Sequence, residues 1–276
     1  MGVNKILQVD LHIHTTASDG TWTPPELIYE ALKEDIGVIA VTDHDSINNV
    51  AESGRLAKEA GIKLIPGSEI CSTKEGLSFH ILGYGIDISN KPLLELLAHN
   101  SFLLEQKDLD SIRLLERDGW PVSSREFSTY TYDRRRGGWR ALAYLIDKGL
   151  CTDVGDFFRR VFTPEHDLGF PEFPSIAEVV KTIHAAGGLA ICAHAASGFH
   201  GPGLERVMDL LRCEPLDGFE CYHSNHTEEG TARLLRHCRK HGLYITGGSD
   251  CHGSFVPSRR LGRPYVDTAM LKLPLI

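Results

Sequence analysis

The chain has 276 residues, 42% of them apolar and 24% charged, with a formal net charge of −8. That composition fits one large globular domain, or a domain with an insertion, and excludes a disordered or fibrous chain. The acidic balance argues against broad binding to a nucleic acid backbone, and no apolar run approaches the roughly 20 residues of a membrane span. The seven cysteines are odd in number and form no C-x-x-C pair, which reads as reduced thiols of a cytoplasmic protein.

Residues 1–5 lead into a strand-like run over 5–11 with no apolar leader. Thr23-Pro24-Pro25-Glu26 then opens a helix, with Thr23 as N-cap, Pro24 at the first helical position and Glu26 closing a capping box. Ile28, Ala31 and Leu32 supply its buried stripe, and Gly37 ends it. The wholly apolar run 38–42 suits a strand buried in a parallel sheet. A helix is predicted over 47–60, stopped by Gly61, followed by strands over 63–66 and 77–84. Strand signals then vanish from about 90 to 172. A long amphipathic helix covers 93–117, a polar arginine-rich stretch 123–138, and helix-like segments 139–148 and 153–162. Alternation returns with helix 175–186, strand 189–193, helix 203–211, strand 218–221, helix 228–241 and strand 243–246. Such units predict a parallel α/β sheet. Residues 1–92 and 172–276 would form one discontinuous domain, with 93–171 a helical cap inserted over its mouth.

His12 and His14 close the first apolar run, and alternate side chains of a strand share one face. Ligand-type side chains recur at later strand ends: Thr42-Asp43-His44-Asp45, Gly67-Ser68-Glu69, His80, Ala193-His194, Tyr222-His223 and Gly248-Ser249-Asp250-Cys251-His252. Each alone has an ordinary explanation. A lone strand-end histidine is usually a satisfied polar residue, Asp19-Gly20 is a turn, and Asp43 caps a helix. Nine donors grouped where α/β barrels place their chemistry are another matter, because packing does not select buried polar groups without partners. His12, His14, Asp19, His44, Glu69, His80, His194, Asp250 and His252 are therefore predicted to form a multinuclear metal centre. Imidazole and carboxylate suit Zn, Mn and Fe.

This ordered set, with Ser18-Asp19-Gly20, His80-Ile81-Leu82-Gly83-Tyr84, Ala186-Gly187-Gly188 and Gly247 to Gly253, strongly resembles the PHP (polymerase and histidinol phosphatase) family. The resemblance covers the chain apart from the cap and is nearest to the TrpH-like metal-dependent phosphoesterases. It implies a distorted (β/α)7 TIM-like barrel with an inserted, mainly helical cap, two to three divalent ions (Mn, Fe or Zn), and phosphoester hydrolysis. It further implies that His12 and His14 hold one ion with Glu69 and Asp250. Glu69 would bridge to a second ion on His80 and His194, and Asp19, His44 and His252 would hold the third. Activities described for the subgroup are removal of the 3′-phosphate from nucleoside 3′,5′-bisphosphates and trimming of short RNA from its 5′ end. The expected partner is a small phosphorylated substrate, a nucleotide foremost, with no stable binding of duplex nucleic acid and no membrane. Oligomeric state is left open.

Clustered cations lower the pKa of bound water to about 7, so a hydroxide bridging two ions is expected to attack phosphorus in line. His223, or Asp43 through water, is expected to protonate the leaving oxygen, and His223 has phosphate contact as its alternative role. In the cap, Arg134, Arg135, Arg136 and Arg140 are candidate phosphate binders, and Trp139 either stacks on a base or anchors the cap. The subgroup carries Gly-Arg-Pro-His where this chain has Gly138-Trp139-Arg140, a departure that bears on the substrate. Arg259 and Arg260 are further phosphate candidates, whereas Lys181 reads as an exposed helix residue. His226, His237 and His241 read as solvated, and His99, His166, His184 and His200 receive no role. The competing readings are a histidinol-phosphate-type phosphatase, a non-catalytic metal-binding regulatory module, and a hydrolase of C–N bonds. The acidic cap and Trp139 lean against the first, the intact donor set against the second, and the lack of a strand-end lysine against the third.

Overall fold

Apolar runs separated by amphipathic helices pair edge to edge in the computed structural model, which describes residues 6–201 and 203–276. The expectation for residues 1–5 lies outside that range. Strands β1 (Gln8–Asp10), β2 (Ile36–Val41), β3 (Lys63–Lys74), β4 (Leu77–Tyr84), β5 (Leu189–Cys192), β6 (Gly218–His223) and β7 (Tyr244–Gly248) form one sheet in sequence order. The outer strands also approach each other: Leu11 N–H donates to Gly247 O, and Ile13 bridges Cys251 in parallel.

The sheet is not wholly parallel, contrary to the expectation from alternating units. β4 runs antiparallel to both β3 and β5. β3 does not stop near Pro66 but continues to Lys74, and only Glu75 and Gly76 separate it from β4. Both have positive φ, 49° and 74°, which is the two-residue turn whose twist matches a hairpin. A connection that short can join only antiparallel strands.

Helix α1 (Pro24–Lys33) starts as its capping box predicts, with Glu26 Oε2 accepting the Thr23 N–H at 2.9 Å. Leu27, Ile28 and Ala31 face the core, but Leu32 is exposed, because it lies on the far side of the buried stripe. Helix α2 (Val50–Glu59) begins three residues later than predicted. The 27-residue α3 (Lys91–Arg117) joins two cores. Its Leu93 and Leu97 pack with Phe79, Val179 and Ile183 under the sheet. Its Ile112 and Leu115 pack with Phe127, Tyr144, Leu145 and Phe157 in the helical segment. Each such side chain contributes about 1.5–3 kcal/mol on burial, so the helix fastens the segment to the sheet.

That segment contains α4 (Ser124–Thr129), a 3₁₀ turn at Arg134–Arg136, α5 (Arg140–Asp147) and the short α6 (Val154–Asp156). The helix expected over 153–162 divides, α6 passing into a π-helical turn at Phe157–Val161. Beyond it lie α7 (Ile176–Ala185), α8 (Leu204–Leu211) and α9 (Glu228–His241). The cysteines are all unpaired, and no helix among the described residues is long and apolar enough to cross a membrane.

Candidate metal centre

The site is built where β1 meets the loop after β7. Asp10 accepts the N–H groups of Ser249 at 2.9 Å and Gly262 at 2.8 Å, which pins the end of β1 against that loop. Beyond it, His12 and His14 alternate inward and are fully buried. Their Nε2 atoms lie 3.1 and 3.2 Å from Glu69 Oε2, and His44 Nδ1 lies 3.3 Å from the same oxygen. The other oxygen of Glu69, Oε1, is 3.0 Å from both His80 Nδ1 and His194 Nε2. Asp250 Oδ1 is 3.2 Å from His14 Nε2. Asp19 Oδ2 is 3.2 Å from His252 Nε2 and 4.0 Å from His44 Nε2. All nine predicted donors thus adjoin one another. Two of them arrive by an unexpected route: Glu69 sits within β3, not at a strand end, and His80 sits in the first half of β4. The reversed direction of β4 brings its beginning beside the ends of the parallel strands, with His80 opposite Cys71.

Several of these atoms are buried with no hydrogen-bond partner: His12 Nε2, His14 Nε2, His44 Nδ1 and Glu69 Oε2. An unpaired buried polar atom costs about 1–3 kcal/mol, and four converge on one oxygen-and-nitrogen cradle. That donor set fits divalent Zn, Mn or Fe. The far sides of the rings are fixed as a ligand needs. His12 Nδ1 faces Glu220 Oε1 at 3.0 Å, and His252 Nδ1 faces the Asp250 carbonyl at 2.7 Å. A proton on each Nδ1 leaves the Nε2 lone pair pointing inward.

Burial opposes charge on His12, but the carboxylates of Glu69, Glu220 and Asp250 outweigh it and hold its pKa well above the ordinary value. Burial likewise opposes charge on His14, and Asp19, Asp250 and Glu69 overcome it. Burial drives His44 and His194 down to about 3. Desolvation acts to raise the Glu69 carboxyl, yet His12, His80 and His44 keep it well below the usual range. The surrounding imidazoles therefore favour the ionised form of Glu69, and burial favours the neutral form of His44 and His194.

The two candidate proton donors are both already committed to hydrogen bonds. Asp43 is fully buried and already accepts from Thr15 N–H at 2.7 Å, Thr15 Oγ1 at 2.6 Å and Ser18 Oγ at 2.6 Å. It shapes the turn that carries Asp19, and has no free edge for a leaving group. His223 accepts the Asn225 N–H at Nδ1 (3.0 Å), so Nε2 carries the proton and donates to Asp250 Oδ2 at 3.2 Å.

The cap residues are also engaged elsewhere. Arg140 donates to the carbonyls of Tyr130 and Phe127 and lies 4.5 Å over the Phe127 ring. Arg136 pairs with Asp147, Arg135 with Glu26, and Arg134 donates to the Ala17 carbonyl. Trp139 packs edge-on against Phe157 and Phe255 at 5.3 and 6.4 Å, against the core of the helical segment. Arg259 instead reaches the centre, its Nη1 2.5 Å from Asp250 Oδ2. His226, expected to be solvated, is half-buried and held by hydrogen bonds: it accepts the Ala196 N–H at 3.1 Å and faces the Cys221 carbonyl at 3.2 Å.

Glu220 was not anticipated from the sequence. It is fully buried, with Oε1 on His12 and Oε2 accepting the His194 N–H at 2.8 Å. The available signal was a lone charge inside the apolar strand Gly218-Phe219-Glu220-Cys221, where burial demands a partner.

The PHP domain profile matches residues 10–151, just over half of the chain and most of the donors. The chain belongs to the PHP family. A 5′-3′ exoribonuclease of Haemophilus influenzae is 32% identical over 88% of this PHP chain and 89% of its own length. A 3′,5′-nucleoside bisphosphate phosphatase of Chromobacterium violaceum is 29% identical over 92% of this chain and 90% of its own. A Bifidobacterium adolescentis protein, proposed to be a metal-dependent phosphoesterase, superimposes with a TM-score of 0.82 at 28% identity, covering 95% of this PHP chain and 93% of that one.

Proposed function

We propose that this PHP protein is a metal-dependent phosphoesterase that hydrolyses a small phosphorylated metabolite, with a nucleotide as its substrate class. The observation that carries this reading is the Glu69 carboxylate. Its two oxygens face separate imidazole sets, His12 and His14 on one side and His80 and His194 on the other. His12, His14, Glu69 and Asp250 would hold one ion; Glu69, His80 and His194 a second; Asp19, His44 and His252 a third, drawn from Mn, Fe or Zn. When bound, such ions neutralise phosphate charge and supply an activated water.

The chain's own residues orient this chemistry. Glu220 keeps a proton on His12 Nδ1 and so frees Nε2. His223 donates to Asp250 and turns its other oxygen inward. Arg259, partly exposed beside Asp250, is better placed to take a phosphate oxygen than the cap arginines. The names of the Haemophilus and Chromobacterium relatives support a nucleotide or a short RNA end as substrate.

The test is phosphate release from a panel of nucleoside 3′,5′-bisphosphates, 5′-phosphorylated short RNA and histidinol phosphate, with Mn added and after chelation. Release is expected to depend on metal, to be highest with nucleotides, and to be abolished in His14→Ala. Turnover that survives both chelation and His14→Ala would sink the reading.

A further inference from the structure

Of the nine proposed donors, His44 and Asp19 keep the largest side-chain exposures, 24% and 19%, with His80 next at 8%. His12, His14, Glu69, His194, Asp250 and His252 are at 6% or less. An ester whose phosphate rests at the centre must therefore project its remainder outward past Asp19, His44 and His80.

The wall on the His80 side of that opening is aromatic. Phe199, in the loop between β5 and α8, has its ring 4.5 Å from His80 and 5.2 Å from His194, yet is 42% exposed. Phe170, from the segment leading out of the cap, comes within 6.2 Å of Phe199 and is 52% exposed. Lys107 of α3 lies 4.4 Å over the Phe170 ring, a cation–π contact that restrains it. Two large exposed rings, converging from separate elements beside a polar centre, form an apolar patch of the kind that marks a ligand site. Trp139, the stacking residue expected from the sequence, is committed to the cap core.

We infer that Phe199 and Phe170 form a subsite for the planar nucleobase of the substrate, adjacent to the phosphate-holding centre. The inference rests on the phosphoesterase reading and names the part of the ester recognised. A phenyl face stacks on any base, so the subsite selects for nucleotides over aliphatic phosphate esters without choosing among bases.

The test compares kcat/KM for adenosine 3′,5′-bisphosphate with that for glycerol 2-phosphate in the wild type, Phe199→Ala, Phe170→Ala and Phe199→Tyr, all metal-loaded. Loss of base stacking is expected to lower the nucleotide-to-glycerol selectivity about 5- to 150-fold in the alanine variants, the equivalent of about 1–3 kcal/mol, and Phe199→Tyr should restore it. Calorimetric titration with adenosine 5′-monophosphate reads the same subsite without turnover and should weaken in parallel. An unchanged selectivity ratio together with unchanged nucleotide binding overturns the inference. If the wild type hydrolyses neither ester, the phosphoesterase reading fails and the calorimetric comparison alone decides the subsite. Thermal midpoints equal to the wild type exclude misfolding as the cause.

Discussion

Replacing Glu220 by glutamine tests the orientation of the centre without changing side-chain shape. In the native chain both carboxylate oxygens accept: Oε1 from His12 Nδ1 at 3.0 Å and Oε2 from the His194 backbone N–H at 2.8 Å. A glutamine has one acceptor oxygen and one NH₂ donor, so it satisfies only one of these partners. If the oxygen stays with His194, the NH₂ meets His12 Nδ1, which must then accept. The His12 proton moves to Nε2 and blocks the lone pair aimed at the ion. If the oxygen turns to His12 instead, the NH₂ opposes the His194 N–H, at a residue held at φ 30°, a conformation that costs energy away from glycine. Either outcome disturbs a donor, one on each side of Glu69. Loss of such an outer partner weakens metal binding by about 10- to 100-fold, or about 1.4–2.7 kcal/mol. The assay is titration of the metal-free variant with Zn or Mn against a competing chelator, alongside its thermal midpoint. Metal affinity equal to that of the wild type would refute the claim that Glu220 sets the His12 tautomer.

Two further outcomes follow from the same geometry. His12 and His14 have pKa values raised well above the ordinary histidine value, because burial is outweighed by the surrounding carboxylates. In the metal-free protein these rings stay protonated to higher pH than free histidine, and an ion must displace those protons. Affinity is thus expected to go on rising as pH climbs above the ordinary histidine range, with protons released on binding; calorimetry in two buffers of different ionisation enthalpy checks this, and no proton release would contradict it. Arg140→Ala removes charge-assisted bonds to the carbonyls of Tyr130 and Phe127 and is expected to lower stability by about 1.5–3 kcal/mol. Denaturant unfolding measures it, and a large rise in KM with unchanged stability would instead return Arg140 to a substrate role.

The nine candidate donors that the fold brings together are legible in the sequence because imidazoles and carboxylates stand out at the ends of apolar runs. Thr23 and Glu26 marked the start of α1 for the similarly local reason that a capping box is written within four residues. What was less legible depended on direction. The Glu75-Gly76 turn reverses β4 and makes a long hairpin of two segments that periodicity alone reads as separate strands. Whether Trp139 and Arg140 point toward substrate or into the cap depends on Phe157, Phe255 and the carbonyls of Tyr130 and Phe127, partners supplied by tertiary packing. Glu220 is less legible because a single acid in a strand has the pattern of a solvent-facing residue until both flanking strands are in place.

The β3–β4 hairpin also bears on the order in which the centre assembles. Glu69 and His80 are 11 positions apart in the chain and are brought together by a two-residue turn, an event that closes on a timescale of about 1–10 μs in isolated hairpins. His12, His14, Asp250 and His252 come from opposite ends of the chain and meet only when the first and last strands are in position, at a far larger loop-closure entropy. The carboxylate shared by both imidazole sets therefore belongs to a piece of the centre that a local hairpin assembles. A nascent chain can present Glu69 with His80 already beside it, long before His194, Asp250 and His252 have been synthesised.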